Sequence, residues 1–326
     1  MIIKAITMKY LPLSLFYKVG NDLAMMEIAL GKICTDSGEL SPGLSRVNHA
    51  GGKRLRPLLA RLSATYGQRT EFDIVPLMTM LELMHTASLI HDDIVDGASL
   101  RRGVPTINSQ EGTLAALRSG DYLLSRAMER LKIYRGTGIN ELLSDVAQEM
   151  CLGEFEQRAG LYQLSGLTEE DYCRRVQRKT ALLLSASCRT GAIAGGGSES
   201  VCNTLADFGL KLGLAFQLQD DLLDCKPDAV TGKPRMQDLR SGVVTLPLLL
   251  AARGNEGLTA LAERRNKTEA ELQRLCLAIA ESGALEESAE ALQRAADAAV
   301  AALAPLPNGE VKTAFTALAR SVTEVK

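Results

Sequence analysis

The stretch 81–103, LELMHTASLIHDDIVDGASLRRG, constrains this chain more than any other. Three carboxylates, Asp92, Asp93 and Asp96, close an apolar run of helical character, and Arg101 and Arg102 follow within a few residues. On a helix turning about 100° per residue, Asp92 and Asp96 stand one turn apart on one face. Two ionised carboxylates so placed repel each other, and an apolar setting raises the cost of their charge. Something positive is therefore expected between them. A hard divalent cation such as Mg²⁺, which prefers oxygen ligands and is often shared with phosphates, suits the position. The pattern recurs at 216–224, FQLQDDLLD, where Asp220, Asp221 and Asp224 repeat the spacing. One such triad is common on a solvated helix face. Two, each preceded by an apolar run, point to a site.

The runs before the two sets, 77–90 and 205–218, are apolar nearly all round, as expected of helices in the middle of a bundle. Both acidic sets are then expected at helix ends deep in one bundle, facing a common cavity. Leu, Ala, Arg, Glu and Met dominate elsewhere, with few β-branched alternations. Helices are expected over 13–35, 55–66, 75–96, 112–130, 139–156, 169–194, 201–223, 246–252, 268–281, 285–303 and 310–325. Thr168 with Asp171 three residues on reads as a capping box, and Gly195-Gly196-Gly197 as the stop of the helix it opens. Pro57 sits at a tolerated first-turn position. No repeat, linker or compositional break divides the 326 residues, so one all-α domain over 1–326 is expected, a bundle of antiparallel helices around a central cavity.

Composition removes several classes of partner. A net charge of −2 with no basic block argues against binding by phosphate neutralisation along a nucleic acid. An aromatic content of 4% without Trp leaves no stacking platform for single strands. The seven cysteines are odd in number and form no C-x-x-C pair, which fits free thiols in a reducing, cytoplasmic setting. The apolar start, MIIKAITMKYLPLSLFYKVG, is broken by Lys4 and Lys9 and reads as a docking helix or a start that leans on a membrane surface, with a signal peptide as the alternative.

Basic groups complete the pattern. GGKRLRP at 51–57 puts Lys53, Arg54 and Arg56 at a glycine-initiated helix start, where Lys and Arg can donate to phosphate oxygens. Arg101, Arg102, Lys179 with Thr180, and Lys233 add further cations near helix ends. Acidic pairs facing separate basic groups suggest a diphosphate held by metal on one side and by cations on the other. His85 lies seven residues before Asp92 on nearly the same face. It either donates to that ligand or is a core histidine bonded to a carbonyl. His91 has no such geometric argument. Gln217, three residues before Asp220, either reaches the site or satisfies a neighbour.

With GGKRLRP, HDDIVDGASLRRG, GDYLLSRA, RKT and FQLQDDLLD in this order, the chain resembles the trans-prenyl diphosphate synthases from about Gly51 to Pro247. The resemblance implies the isoprenoid synthase type of all-α fold and an enzyme that condenses isopentenyl diphosphate with an allylic diphosphate. It implies Asp92, Asp96 and Asp220 as direct Mg²⁺ ligands, supported by Asp93, Asp221 and Asp224, with about three ions per active site when substrate is bound. It implies Arg101, Lys179, Thr180, Gln217 and Lys233 as contacts to the allylic diphosphate, and Lys53, Arg56, His85 and Arg102 as the isopentenyl diphosphate site. A homodimer is implied as well. One departure stands out: where many members carry Gly-Lys before Thr-Leu-Pro, this chain has Gly242-Val243-Val244, so a phosphate-directed cation is missing.

Product length in such an enzyme depends on the apolar pocket below the first aspartates. Ala87 and Ser88, just beneath them, are small, and Met84 is a flexible floor, which implies a product of about six to eight isoprene units, a quinone-type tail. The same small residues would also serve close helix packing. Shorter products of the farnesyl or geranylgeranyl class, dependence on a second subunit, and terpene cyclisation are the competing expectations. Long products are water-insoluble, so transient membrane contact is expected at release.

Overall fold

Residues with little backbone cost in a helix dominate this sequence, and helices dominate the computed structural model, which describes residues 13–69, 73–225 and 236–324. In chain order the helices are α1 (Leu13–Thr35), α2 (Ser41–His49), α3 (Leu55–Ala64), α4 (Val75–Val95), α5 (Ile107–Glu111), α6 (Thr113–Leu131), α7 (Ile139–Ala159) and α8 (Glu169–Val176). Then come α9 (Leu182–Ala194), α10 (Glu199–Cys225), α11 (Gln237–Ser241), α12 (Leu246–Ala251), α13 (Glu256–Glu263), α14 (Glu269–Glu281), α15 (Ala284–Ala302) and α16 (Glu310–Ser321). The short α2, α5, α11 and α13 were not expected from the sequence, because their apolar periods are too brief to register. The described residues fall into two compact units. The first takes those up to Leu143 with Ser187–Leu205 and Leu306–Ala314; the second takes Ser144–Ala186, Ala206–Pro305 and the residues from Phe315 on. Among the described residues no helix is long and apolar enough to cross a membrane.

The first unit is built on α4, in which residues 77–84 are all buried. Two polar side chains in that run are satisfied locally: Thr79 Oγ1 donates to the Val75 carbonyl at 2.7 Å, and Glu82 accepts from Arg54 Nη1 at 2.6 Å. Arg54 occupies the left-handed position before α3 (φ 50°) and also donates from Nε to Glu27 on α1 at 2.6 Å. One guanidinium thus ties α1, α3 and α4. Backbones touch where α3 meets α9: a Cβ on Gly191 would lie 2.2 Å from the Ala60 carbonyl oxygen, and one on Gly195 2.2 Å from that of Ala64. α9 ends in a Schellman motif, with Gly196 at φ +77° and its neighbour's N–H bonded to the Ala192 carbonyl.

In the second unit, Phe208, Leu212, Ala215, Leu218 and Leu222 form the buried stripe of α10. The opposite side of α10 is not apolar: Asp207 and Lys211 pair there in solvent at 2.5 Å, one turn apart. The expected capping box is present, Thr168 accepting from the Asp171 N–H while the Asp171 carboxylate accepts from the Thr168 N–H. The single helix expected over 169–194 is instead interrupted at Gln177–Ala181 by a π-helical turn, closed by the Leu182 N–H bonding the Gln177 carbonyl five residues back. α10 crosses this turn and the start of α9 on bare backbone. A Cβ on Gly213 would lie 2.4 Å from Ala181 Cα, and one on Gly209 2.7 Å from the Leu184 carbonyl oxygen.

Candidate active site

In the first unit the site grows from the end of α4. Asp96 caps the helix, its N–H bonding the Asp92 carbonyl at 2.8 Å, so the two side chains stand one turn apart as their spacing requires. Asp92 is half-buried and Asp96 exposed. Asp93, between them, is buried and accepts from Arg101 Nε at 2.5 Å. Burial pushes its carboxyl above the ordinary value, against the pull of Arg101. Arg101 belongs to a two-stranded hairpin, β1 (Leu100–Arg101) and β2 (Val104–Pro105). Its turn is Arg102-Gly103, both left-handed at φ 52° and 80°. Such primed turns match strand twist, and an arginine there is strained. Arg102 Nη1 donates to the Gly51 carbonyl, and its guanidinium occupies the space a side chain on Gly52 would take, 2.8 Å from that Cβ position.

A basic cluster surrounds His85. Burial, then Arg56, Arg102, Arg101 and Arg54, hold its imidazole well below the ordinary 6.5, so it is neutral near pH 7. Burial, with Arg102 beside it, brings the Arg56 guanidinium down to about 10, and its buried Nε has no protein acceptor. Desolvated cations with donors to spare are the chemistry of an anion site. Lys53 lies exposed at the same helix start. Arg54, committed to Glu27 and Glu82, is structural. His91 packs against the bare backbone of Gly120, 3.5 Å from Asp121. Met84 and Ala87 are buried on α4, and Ser88 turns its hydroxyl to the His85 carbonyl at 2.9 Å.

In the second unit the acidic set is unequal in its surroundings. Asp220 is exposed. Asp221, 2% exposed, accepts from Tyr172 Oη at 2.7 Å, Gln217 Nε2 at 2.9 Å and the Leu246 N–H at 3.3 Å. Asp224 accepts from the Gln237 and Asp238 N–H groups, each at 3.0 Å, fixing the start of α11. Thr180 Oγ1 donates to Gln217 Oε1 at 2.9 Å, and Lys179 pairs with Glu154 at 2.6 Å. Both belong to the π-turn, which α7 approaches at Gly153, where a Cβ would lie 2.9 Å from Arg178 Cβ. Asp238 is a fourth carboxylate that sequence reasoning missed. Burial, then Asp224, Asp221 and Asp220, push it well above the ordinary range. It belongs to no repeat, so only folding reveals it. Tyr172, Arg175 and Glu154 were missed for the same reason. Lys233 lies outside the described residues.

The donor chemistry fits a hard divalent cation. In each unit the carboxylates supply the hard oxygen donors such a cation prefers, and Asp92 and Asp96 sit at a helix C-terminus, whose dipole adds negative potential. Among the described residues no three His, Cys, Asp or Glu side chains gather into a ready-made cage.

A sequence model of the polyprenyl synthetase family matches residues 39–279. Heptaprenyl diphosphate synthase component 2 of Geobacillus stearothermophilus is 37% identical over 297 residues, covering 90% of this chain and 92% of that protein. The heptaprenyl diphosphate synthase of Staphylococcus aureus superposes with a TM-score of 0.88 at 29% identity, over 94% of this chain and 98% of the other. A polyprenyl synthase from Caulobacter crescentus CB15, crystallised with calcium and isoprenyl diphosphate, gives 0.87 at 34% identity, over 94% and 95%.

Proposed function

The chain belongs to the polyprenyl synthetase family, prenyltransferases of the all-α isoprenoid synthase fold, and from that premise we propose that it condenses isopentenyl diphosphate with an allylic diphosphate to give a trans-polyprenyl diphosphate. Asp92 and Asp96 in one unit and Asp220 in the other would hold Mg²⁺, about three ions at full occupancy, which would supply charge neutralisation on the leaving diphosphate. Lys179 and Arg101 hold the allylic diphosphate, with Thr180, Gln217 and Lys233 beside them; Lys179 exchanges Glu154 for phosphate oxygens. Lys53, Arg56, Arg102 and neutral His85 hold the isopentenyl diphosphate. The allylic C–O bond breaks with its electron pair on diphosphate, the isopentenyl double bond forms the new C–C bond, and a proton leaves to the released diphosphate. These positioned charges favour the transition state over the bound substrates.

The observation that carries the reading is the pair Arg56 and Arg102 beside His85, an anion site distinct from Arg101, which is committed to Asp93. A terpene cyclase needs no such second anion site. Incubation with farnesyl diphosphate, isopentenyl diphosphate and Mg²⁺, with products sized by mass spectrometry, tests it. Product chains of about six to eight units support the synthase and the open floor at Met84, Ala87 and Ser88. Turnover of farnesyl diphosphate alone refutes it.

The name of the Geobacillus relative favours a second reading, that the chain works with a partner component. Purified chain that is inactive alone and active with added partner would establish it. A homodimer is the simpler assembly, supported by Leu114, Leu117 and Met128 exposed along one side of α6. Light scattering separates monomer from dimer. We place the protein in the cytoplasm, with membrane contact only at product release.

A further inference from the structure

We propose that Tyr172 is a positioning residue for the allylic-diphosphate half of the reaction, a role that rests on the synthase reading. Its ring is 1% exposed and its hydroxyl donates to Asp221 at 2.7 Å. Arg175 lies over the ring, 5.7 Å from its centroid, and donates to the Val244 carbonyl, so the ring is fixed from behind. With Gln217 and the Leu246 N–H, Tyr172 completes three donors around a buried carboxylate. Such a carboxylate serves as a strut, with donors on both of its oxygens.

Two consequences reach the site. First, the Gln217 amide nitrogen donates to Asp221, which leaves Oε1 to accept from the Thr180 hydroxyl. The orientation of Thr180, next to Lys179 in the π-turn, is thereby set by the phenol of Tyr172. Second, the grip on Asp221 fixes the rotation of α10 about its own axis. At a side-chain radius of about 5–6 Å, a 10° turn, taken roughly, would carry Asp220 about 1 Å. The glycine crossing at Gly213 sets the separation of α10 from the π-turn but not this angle; the buried strut sets the angle.

Tyr172→Phe removes the hydroxyl alone. A hydrogen bond to a charged group at such a position corresponds to about ten-fold or more in binding. The KM for farnesyl diphosphate should rise about ten-fold while the KM for isopentenyl diphosphate stays within about two-fold. Calorimetric affinity for inorganic pyrophosphate with Mg²⁺ should fall by a similar factor, without reference to turnover. Asp221→Asn should show the same split and add little to Tyr172→Phe in the double variant. If Tyr172→Phe fails to fold, Arg175→Met must give the same selective rise. Unchanged allylic KM and pyrophosphate affinity would overturn the proposal. So would an equal rise in both KM values with a lower melting temperature, which marks general loosening. If the parent makes no product either alone or with an added partner component, the synthase reading fails, and the pyrophosphate titration still decides the role of Tyr172.

Discussion

Replacing Arg54 by Met would take from two carboxylates the guanidinium that hydrogen-bonds both. Arg54 is 7% exposed and donates to Glu27 at 2.6 and 3.0 Å and to Glu82 at 2.6 Å. Glu82 is itself 2% exposed, in the most buried part of α4. Removing one partner of a buried pair costs about 3–5 kcal/mol, most of it the penalty on the charge left behind. Spread over a unit of this size, that lowers the apparent Tm by about 10 °C. The cause can be isolated by pH. A buried carboxylate that has lost its counter-charge is penalised only while ionised, so acid relieves that penalty. The stability gap between parent and Arg54→Met should therefore shrink between pH 7.5 and 5.5 in urea titrations. Arg54→Met with Glu82→Leu should recover part of the loss. A gap independent of pH, or a double variant no better than the single, would refute the stranded-charge account.

His85, kept neutral by burial and four arginines, contributes stability that is present above its ordinary 6.5 and lost as pH falls below it. His85→Gln should therefore lose less stability than the parent between pH 7 and 5, by up to about 2 kcal/mol in parallel chemical denaturations. Ala87→Tyr should shorten the product to about three or four isoprene units, read by mass spectrometry; unchanged length would remove Ala87 from the pocket floor. Glu154→Gln frees Lys179 from its 2.6 Å partner. The KM for the allylic substrate should then fall about three-fold, and a rise would show that Glu154 orients Lys179 rather than competing for it.

The sequence determined by itself what local physics and pattern can carry. The helix 13–35 was read to its ends, the Thr168 capping box and the glycine stop after α9 to the residue, because propensities and caps act within a turn of chain. The family was legible because Asp92/Asp96 and Asp220/Asp224 are paired by spacing, and a repeated spacing survives without a structure. What separates the aspartates from one another was not legible. Asp93, Asp221 and Asp224 look equivalent to Asp92 and Asp220 on paper, yet Arg101, Tyr172 and the Gln237 and Asp238 N–H groups absorb them. The division of Arg54 from Arg56, the commitment of Lys179 to Glu154 and the closeness of Asp238 to the second set are of the same kind. Each depends on which distant segment supplies the partner, and burial makes that partner decisive, since a charge removed from water must be answered by whatever the fold brings within about 3 Å.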